Sequence, residues 1–324
     1  MTLSKNKYAN GGASLMKNDF CFDSKDGVTK IWVTEWVPDG EVKAVLQICH
    51  GMCEYIGRYE PFAEYMCGKG FYVVGNDHLG HGRSVTGDDK LGFFAEENGN
   101  AILLSDLETL RKLTKERYPS VPYFWLGHSM GSFLTRQYIA DHGKELTAAV
   151  IMGTGTTPPP VLTIGKNLCK AIAKKKGWDH RSETVDNIAF GSYNKRIKPL
   201  RTEGDWLTKD EAIVDKYIND PWCTYMFTVN GFYNMFYSIG ECQKKKTAER
   251  IPKTLPLLIT SGQEDPVGGY GAGVEKAYET YKSVGMKDVT LKLYPGDRHE
   301  ILNELDRAQV YDDLYNWYIS KIKA

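Results

Sequence analysis

The stretch Tyr123–Gly131 has the sequence Tyr-Phe-Trp-Leu-Gly-His-Ser-Met-Gly and decides the fold. Its apolar, aromatic first part predicts a buried strand, and an amphipathic run, Ser132–His142, follows it directly. Gly-x-Ser-x-Gly lies between them, the pattern of a sharp strand-to-helix turn that holds a serine hydroxyl clear of the sheet edge. Gly127 and Gly131 suit this turn because a side chain there would collide with the neighbouring strand or helix. The stretch therefore predicts Ser129 as a nucleophile.

A serine nucleophile that attacks a carbonyl needs two N–H donors for the oxyanion that develops. The helix after Ser129 presents its unpaired N–H groups and the positive end of its dipole, so Met130 supplies the first donor. The second donor is expected from the loop after an earlier buried strand, where Ala44–Cys49 leads into His50-Gly51-Met52. Gly51 lets the backbone approach closely, and Met52 offers its N–H. A plain turn at His50-Gly51 is the alternative.

Length and composition narrow the class of protein. The chain has 324 residues and no formal net charge, which gives no electrostatic indication of nucleic-acid binding. It has no apolar run long enough for a membrane span, and residues 1–7 lack the apolar core of a signal peptide. The seven cysteines include no Cys-x-x-Cys pair. We expect reduced thiols and a cytoplasmic protein, with transient contact to a membrane surface left open.

The chain alternates strand and helix patterns, except in one long segment. From about Gly155 to about Lys253 helical patterns continue without strand patterns, which predicts a helical insertion. We therefore expect an α/β core at residues 1–154 and 254–324, interrupted by an insertion at 155–253. Residues up to about Gly12 look like a loose lead-in. Strands are predicted at 20–22, 31–37, 44–49, 71–74, 148–152, 257–260 and 289–294; helices at 59–68, 102–113, 164–173, 209–218, 232–244, 274–283 and 305–322.

Asp265 and His299 complete a candidate catalytic triad with Ser129. A serine hydroxyl needs an adjacent base and a group that orients the base. Asp265 follows a buried strand, and His299 is the one histidine that follows the last predicted strand. The order Ser, Asp, His is that of α/β-hydrolases and differs from those of chymotrypsin and subtilisin. Asp-Pro is also a common turn pair, and Glu264 and Asp297 are the other candidates for the carboxylate.

The loop Asp77–Ser84 contains two histidines and two glycines. Its aspartate, with His78 and His81, could in principle bind a metal. Without a cysteine or a second carboxylate to complete a ligand set, we favour hydrogen bonds that order the loop. The sequence therefore predicts no metal and no cofactor.

Six motifs carry a resemblance to a known family: His50–Glu54, Gly57–Tyr59, Asp77–Ser84, Gly127–Gly131, Asp265–Val267 and Arg298–Glu304. Together they resemble the motifs of the monoacylglycerol lipase and lysophospholipase group of α/β-hydrolases, which are classed with serine aminopeptidase S33. The resemblance implies a mostly parallel eight-stranded sheet with helices on both faces and a helical cap. It also implies hydrolysis of monoacyl lipid or small carboxylic esters. Ser132 stands where relatives often have glycine, and the insertion matches only in patches, at 206–208 and 220–222.

The cap should provide an apolar channel for the acyl chain. Its expected lining residues are aromatic or flexible and apolar, although such a stripe also suits the internal core of the insertion. Cys53 follows the oxyanion donor and is interpreted as a bystander. The lining candidates are Tyr225, Phe227, Phe232, Met235 and Phe236.

Two other functions remain open from the sequence. An aminopeptidase would need acidic groups to hold a free amine, and Glu54, Glu203 and Asp205 could provide them. A non-catalytic ligand-binding protein could use the same fold, although a complete triad argues against it.

Overall fold

The computed structural model describes residues 4–10 and 13–322, and these residues form one sheet of nine strands. The central strands are mostly apolar and buried on both faces, as parallel strands covered by helices are. The strands are β1 (Ser4–Asn10), β2 (Ala13–Asp23), β3 (Lys30–Val37), β4 (Ala44–Cys49), β5 (Phe71–Asn76), β6 (Tyr123–His128), β7 (Ala148–Met152), β8 (Leu257–Gly262) and β9 (Val289–Tyr294).

The strands are arranged in the order β1-β2-β3-β5-β4-β6-β7-β8-β9. The pairs β1–β2, β2–β3 and β3–β5 are antiparallel, and all other neighbours are parallel. In the parallel part Cys49 lies opposite Gly127, and Gly262 lies opposite Tyr294. The loops that follow β4, β6, β8 and β9 therefore leave the sheet at the same edge.

Helices cover both faces of the sheet. One apolar cluster lies between the sheet and the helices Gly99–Arg117, Met130–His142, Val229–Cys242 and Ala272–Ser283. A second lies between the other face of the sheet and the helices Glu60–Gly68 and Arg307–Ser320. None of the helices in the described residues is long and apolar enough to cross a membrane. The helices are α1 (Glu60–Gly68), α2 (Gly99–Arg117), α3 (Met130–His142), α4 (Pro159–Lys176), α5 (Glu183–Phe190), α6 (Glu211–Ile218), α7 (Val229–Cys242), α8 (Lys245–Arg250), α9 (Ala272–Ser283) and α10 (Arg307–Ser320).

Residues 155–253 contain α4 to α8 and no strand of the sheet. Helix α4 packs on α7, which in turn packs on α3 of the core. Gly165 permits this close approach, because a Cβ there would lie 2.7 Å from the Phe236 ring. The helical content predicted for this segment agrees with the structure, and its division from the core at 154/155 and 253/254 stays a prediction.

The predicted α/β-hydrolase fold is confirmed, with one correction at the N-terminus. The loose lead-in is wrong for residues 4–10, which form β1 and pair with β2, and β2 is much longer than the predicted strand at 20–22. The hairpin adds one strand to the eight expected. The sequence of β1 has no apolar alternation, so its pattern alone does not indicate the strand, which is identified by its pairing with β2. Residues 1–3 and 11–12 of the predicted lead-in lie outside the described residues.

Candidate active site

Ser129 lies at the sharp turn between β6 and α3. Its backbone has φ 53° and ψ −120°, a conformation that residues other than glycine rarely adopt. A Cβ on Gly127 would collide with the Thr135 hydroxyl, and one on Gly131 would collide with the carbonyl oxygen of Cys49. The two glycines thus allow β6, α3 and the end of β4 to meet at the strained serine.

The loop after β4 lies directly against the serine. A Cβ built on Gly51 would come within 2.9 Å of the Ser129 Cβ. The backbone N–H of Gly51 donates to the carboxylate of Glu54, which fixes the loop. Among the described residues, no acceptor binds the backbone N–H of Met52 or of Met130. Two donors near the serine are therefore available for a ligand.

Asp265 and His299 meet at the same edge of the sheet. Oδ1 of Asp265 lies 3.0 Å from Nδ1 of His299, and both side chains are buried. The carboxylate also accepts hydrogen bonds from the Ser261 hydroxyl at 2.7 Å and the Val267 N–H at 2.8 Å. Burial by itself raises the pKa of Asp265, but the imidazole of His299 and these hydrogen bonds hold it below its usual value.

The imidazole of His299 is packed between two rings. The centroid of the His128 ring lies 4.8 Å away, and that of Trp206 lies 5.0 Å away. The backbone joins the two loops as well, because the N–H of Glu300 donates to the carbonyl oxygen of Leu207 at 2.7 Å. Residues 206–207 of the helical insertion therefore contact the histidine loop directly.

The other two candidate carboxylates have different surroundings. Glu264 is exposed. Asp297 is buried, and its Oδ1 lies 3.2 Å from Nζ of Lys209. Burial raises the pKa of Asp297 to about 6. Asp265 is thus the carboxylate of the three that accompanies the His299 imidazole.

A buried charged network lies beneath these residues, and the sequence did not predict it. The carboxylate of Glu54 accepts from Tyr59 at 2.8 Å and from Nη1 of Arg58 at 2.9 Å, and it lies 3.2 Å from Nδ1 of His128. Arg58 also forms two hydrogen bonds with Glu300. The network therefore contacts the loop after β4 through Glu54, and it includes the direct chain neighbours of Ser129 and His299.

The network shifts the protonation of its members. Burial by itself raises the pKa of Glu54, but His128 and Arg58 beside it hold that pKa below its usual value. Burial likewise raises the pKa of Glu300, but Arg58 holds it below its usual value. Burial lowers the pKa of His128, yet the hydrogen bond and charge of Glu54 outweigh burial and raise it. Glu54, Arg58 and Glu300 belong to the motifs quoted above, but nothing in their spacing indicates that they meet.

The loop Asp77–Ser84 is ordered by its own polar side chains. The carboxylate of Asp77 accepts from the Ile56 N–H at 3.0 Å and from the Arg83 N–H at 3.1 Å. The N–H of His78 donates to Nε2 of His50 at 2.9 Å, and the His81 ring packs on that of His50. Over residues 4–10 and 13–322, no group of three His, Cys, Asp or Glu side chains is arranged to hold a metal.

The five predicted acyl-channel residues form one apolar cluster. Phe227 packs on Tyr225 and on Phe232, with ring centroids 6.0 and 5.8 Å apart, and Phe232 packs on Phe236. All except the half-buried Tyr225 are buried, including Met235. The Tyr225 carbonyl oxygen accepts from Cys53, whose pKa burial raises. The cluster therefore reaches the residue after Met52, and its role as a channel wall stays a prediction.

The sheet order and the strand-to-helix turn at Ser129 define an α/β-hydrolase. The serine aminopeptidase S33 family matches residues 40–306, and the chain belongs to this family. The monoacylglycerol lipase of Mycolicibacterium smegmatis is 28% identical over 316 residues, which are 95% of this chain and 99% of that protein. The monoglyceride lipase of Mus musculus is 26% identical over 300 residues, 89% of this chain and 86% of that protein.

A solved structure shows the same fold over nearly the whole chain. A thermostable carboxyl esterase from Bacillus coagulans superposes with a TM-score of 0.88 and is 28% identical, covering 95% of this chain and 99% of that one. The resemblance to the monoacylglycerol lipase group is confirmed. The chain is an α/β-hydrolase of a family that includes lipases and esterases.

Proposed function

We propose that the chain is a serine hydrolase that cleaves carboxylic esters of monoacyl lipids, such as monoacylglycerols or lysophospholipids, or small acyl esters. Its catalytic triad is Ser129, His299 and Asp265. The observation that carries this proposal is the 3.0 Å contact between the buried Asp265 carboxylate and Nδ1 of His299, at the sheet edge where the strained Ser129 also lies. The similarity to monoacylglycerol lipases over almost the full chain supports the substrate class.

The proposed reaction is a two-step acyl transfer. The Asp265 carboxylate, 3.0 Å from Nδ1, keeps the proton of the His299 imidazole on Nδ1. Nε2 is then left to take the proton from Ser129 as its hydroxyl oxygen attacks the ester carbonyl carbon. The N–H groups of Met52 and Met130 hold the oxyanion. His299 then gives the proton to the departing alcohol, which leaves an acyl-serine. Water, deprotonated by His299, attacks this ester and releases the carboxylic acid and the serine.

We also propose that residues 155–253 form a cap over this site. The contact of Trp206 with the His299 ring supports it, because it joins the insertion to the proposed base. The apolar cluster at Tyr225–Phe236 would form one wall of the acyl channel, and its link to Cys53 brings it near the proposed oxyanion hole. The seven free cysteines support a location in the cytoplasm, where thiols are kept reduced.

The test is a hydrolysis screen with monoacylglycerols, lysophospholipids, short p-nitrophenyl esters and aminoacyl p-nitroanilides. Esters should be hydrolysed, and Ser129→Ala should lower kcat by about 10³-fold or more, since triad serines contribute on that scale. Ser105→Ala, at an exposed serine on α2, is the matched control and should keep full activity. A loss below about tenfold in Ser129→Ala would contradict the nucleophile assignment.

The same screen separates the two alternatives. An aminopeptidase would prefer the aminoacyl anilide, but the carboxylates of Glu54 and Asp205 are buried and already hydrogen-bonded, and Glu203 is exposed. A non-catalytic ligand-binding protein would turn over no substrate. It would also leave Ser129 unlabelled by a fluorophosphonate, whereas the proposed enzyme reacts at that residue.

A further inference from the structure

A basic cleft of about 350 Å³ lies between α3, the start of α4, the end of α7 and α9. Four cationic side chains line it: Arg136, Lys166, Lys244 and Lys276. The described residues that line this cleft include no aspartate and no glutamate. In a chain without net charge, such a one-sided concentration of positive charge marks a possible anion site.

Arg136 lies at the base of this basic cleft and is only 1% exposed. Its partners are neutral: Nε donates to the Tyr281 hydroxyl at 2.9 Å, and Nη1 donates to the Gly155 carbonyl oxygen at 2.9 Å and the Thr154 hydroxyl at 3.2 Å. Within the described chain it forms no ion pair, and its Nη2 makes no hydrogen bond. A buried guanidinium is normally paired with an anion, because burying an unpaired charge is costly.

The basic cleft contains further cationic donors besides Arg136. Among the described residues, neither Lys166 nor Lys276 pairs with a carboxylate, whereas Lys244 pairs with Glu241. Of the four threonine hydroxyls of the cleft, all but that of Thr157 already donate to backbone carbonyls. Most of the side-chain donors that remain are therefore charged, which favours an anion over a neutral ligand.

We propose that this basic cleft binds a phosphate group, with Arg136 at its base and Lys166 and Lys276 at its rim. Phosphate suits this set because it offers several strong acceptor oxygens to arginine and lysine donors at once. The group belongs either to a small soluble phosphate ester or to a phospholipid headgroup. The inference does not depend on the proposed ester hydrolysis, since it concerns different residues and is tested by binding.

The first arm of the experiment measures thermal unfolding of the full chain with inorganic phosphate or glycerol 3-phosphate, at constant ionic strength kept with sodium chloride. A saturable rise in Tm is expected, because a ligand that binds only the folded state stabilises it. The double variant Lys166→Ala, Lys276→Ala should need about tenfold more ligand. Substitution of rim lysines is used because an Arg136 variant could fail to fold.

The matched control is Lys174→Ala, Lys175→Ala, which removes the same charge from the exposed end of α4. It should behave as the wild type. The second arm measures how much of the protein sediments with phosphatidylcholine vesicles that contain phosphatidic acid. If the rim variant loses this binding and the control variant keeps it, the ligand is a lipid headgroup. The proposal is overturned if neither arm shows saturable binding, or if both double variants weaken binding equally, since that result indicates bulk charge only.

Discussion

Arg58 and Glu300 form a bidentate ion pair, with Nη1–Oε1 and Nη2–Oε2 distances of 2.7 and 2.8 Å. Arg58 also donates to Glu54, whose carboxylate holds the N–H of Gly51. One guanidinium thus connects the loop of the proposed oxyanion hole with the residue after His299. Since both carboxylates are buried and the Arg58 side chain is only 11% exposed, the loss of one partner leaves charges that water solvates poorly.

Arg58→Met should therefore lower the free energy of unfolding by about 3–5 kcal/mol, because Glu54 and Glu300 would lose their shared cation in the interior. Urea denaturation at pH 7 measures the change. Arg250→Met is the control, since Arg250 and Asp141 form an exposed pair and should contribute at most about 1 kcal/mol. The double variant Arg58→Met, Glu300→Gln should recover part of the loss. Equal effects of Arg58→Met and Arg250→Met would show that the network contributes little.

Asp265→Asn should lower kcat for a p-nitrophenyl ester by about 10⁴-fold, because an amide cannot hold His299 in the tautomer that accepts the serine proton. Steady-state kinetics measure it, and circular dichroism checks that the fold is kept. The control Glu264→Gln changes the exposed neighbouring carboxylate and should leave kcat within about twofold of the wild type. If both variants kept high activity, the orienting carboxylate would have to be another residue.

Glu108 should make stability depend on acidic pH. Burial by itself raises its pKa, but hydrogen bonds from Arg111 and Tyr138 and the charge of Arg111 lower it from 4.5 to about 2. A depressed carboxyl pKa stabilises the fold above pH 4.5, and this stabilisation is lost as the pH falls towards 2.

The free energies of unfolding of wild type and Glu108→Gln should therefore differ most at pH 5 and above and converge near pH 2. Urea denaturation between these values measures the difference. Glu116→Gln, at an exposed position of the same helix, is the control and should differ from the wild type by a constant amount. A constant difference for Glu108→Gln as well would contradict the depressed pKa.

Gly131→Ala should destabilise the protein by at least about 2 kcal/mol, because the new Cβ collides with the carbonyl oxygen of Cys49. Thermal unfolding measures the loss, and it should be accompanied by lower activity as the serine turn shifts. Gly68→Ala is the control: its Cβ would meet no atom within 4 Å at an exposed position of α1. That change should be neutral or stabilise by up to about 1 kcal/mol. A tolerated Gly131→Ala would mean that β4 can move away.

The local hydrophobic pattern was enough to predict strands of the parallel core. The bounds predicted for Ala44–Cys49 and Ala148–Met152 agree with β4 and β7, because strands buried on both faces are almost continuously apolar and end where the polar loop begins. The same reasoning failed for β1, whose residues carry no apolar pattern and which is held by backbone pairing to β2. Edge hairpins of this kind depend on a partner strand that the pattern of one segment does not show.

By itself the sequence determined the α/β order of the chain, the strained turn at Ser129 and the chain order of the three triad candidates. Only the tertiary structure decided which carboxylate lies beside His299, and that Glu54, Arg58 and Glu300 share one buried network. The physical reason is the sequence separation over which each kind of interaction acts. Hydrophobic periodicity and turn geometry act between near neighbours, whereas the pairing of charges 242 residues apart depends on how the whole sheet and its loops pack.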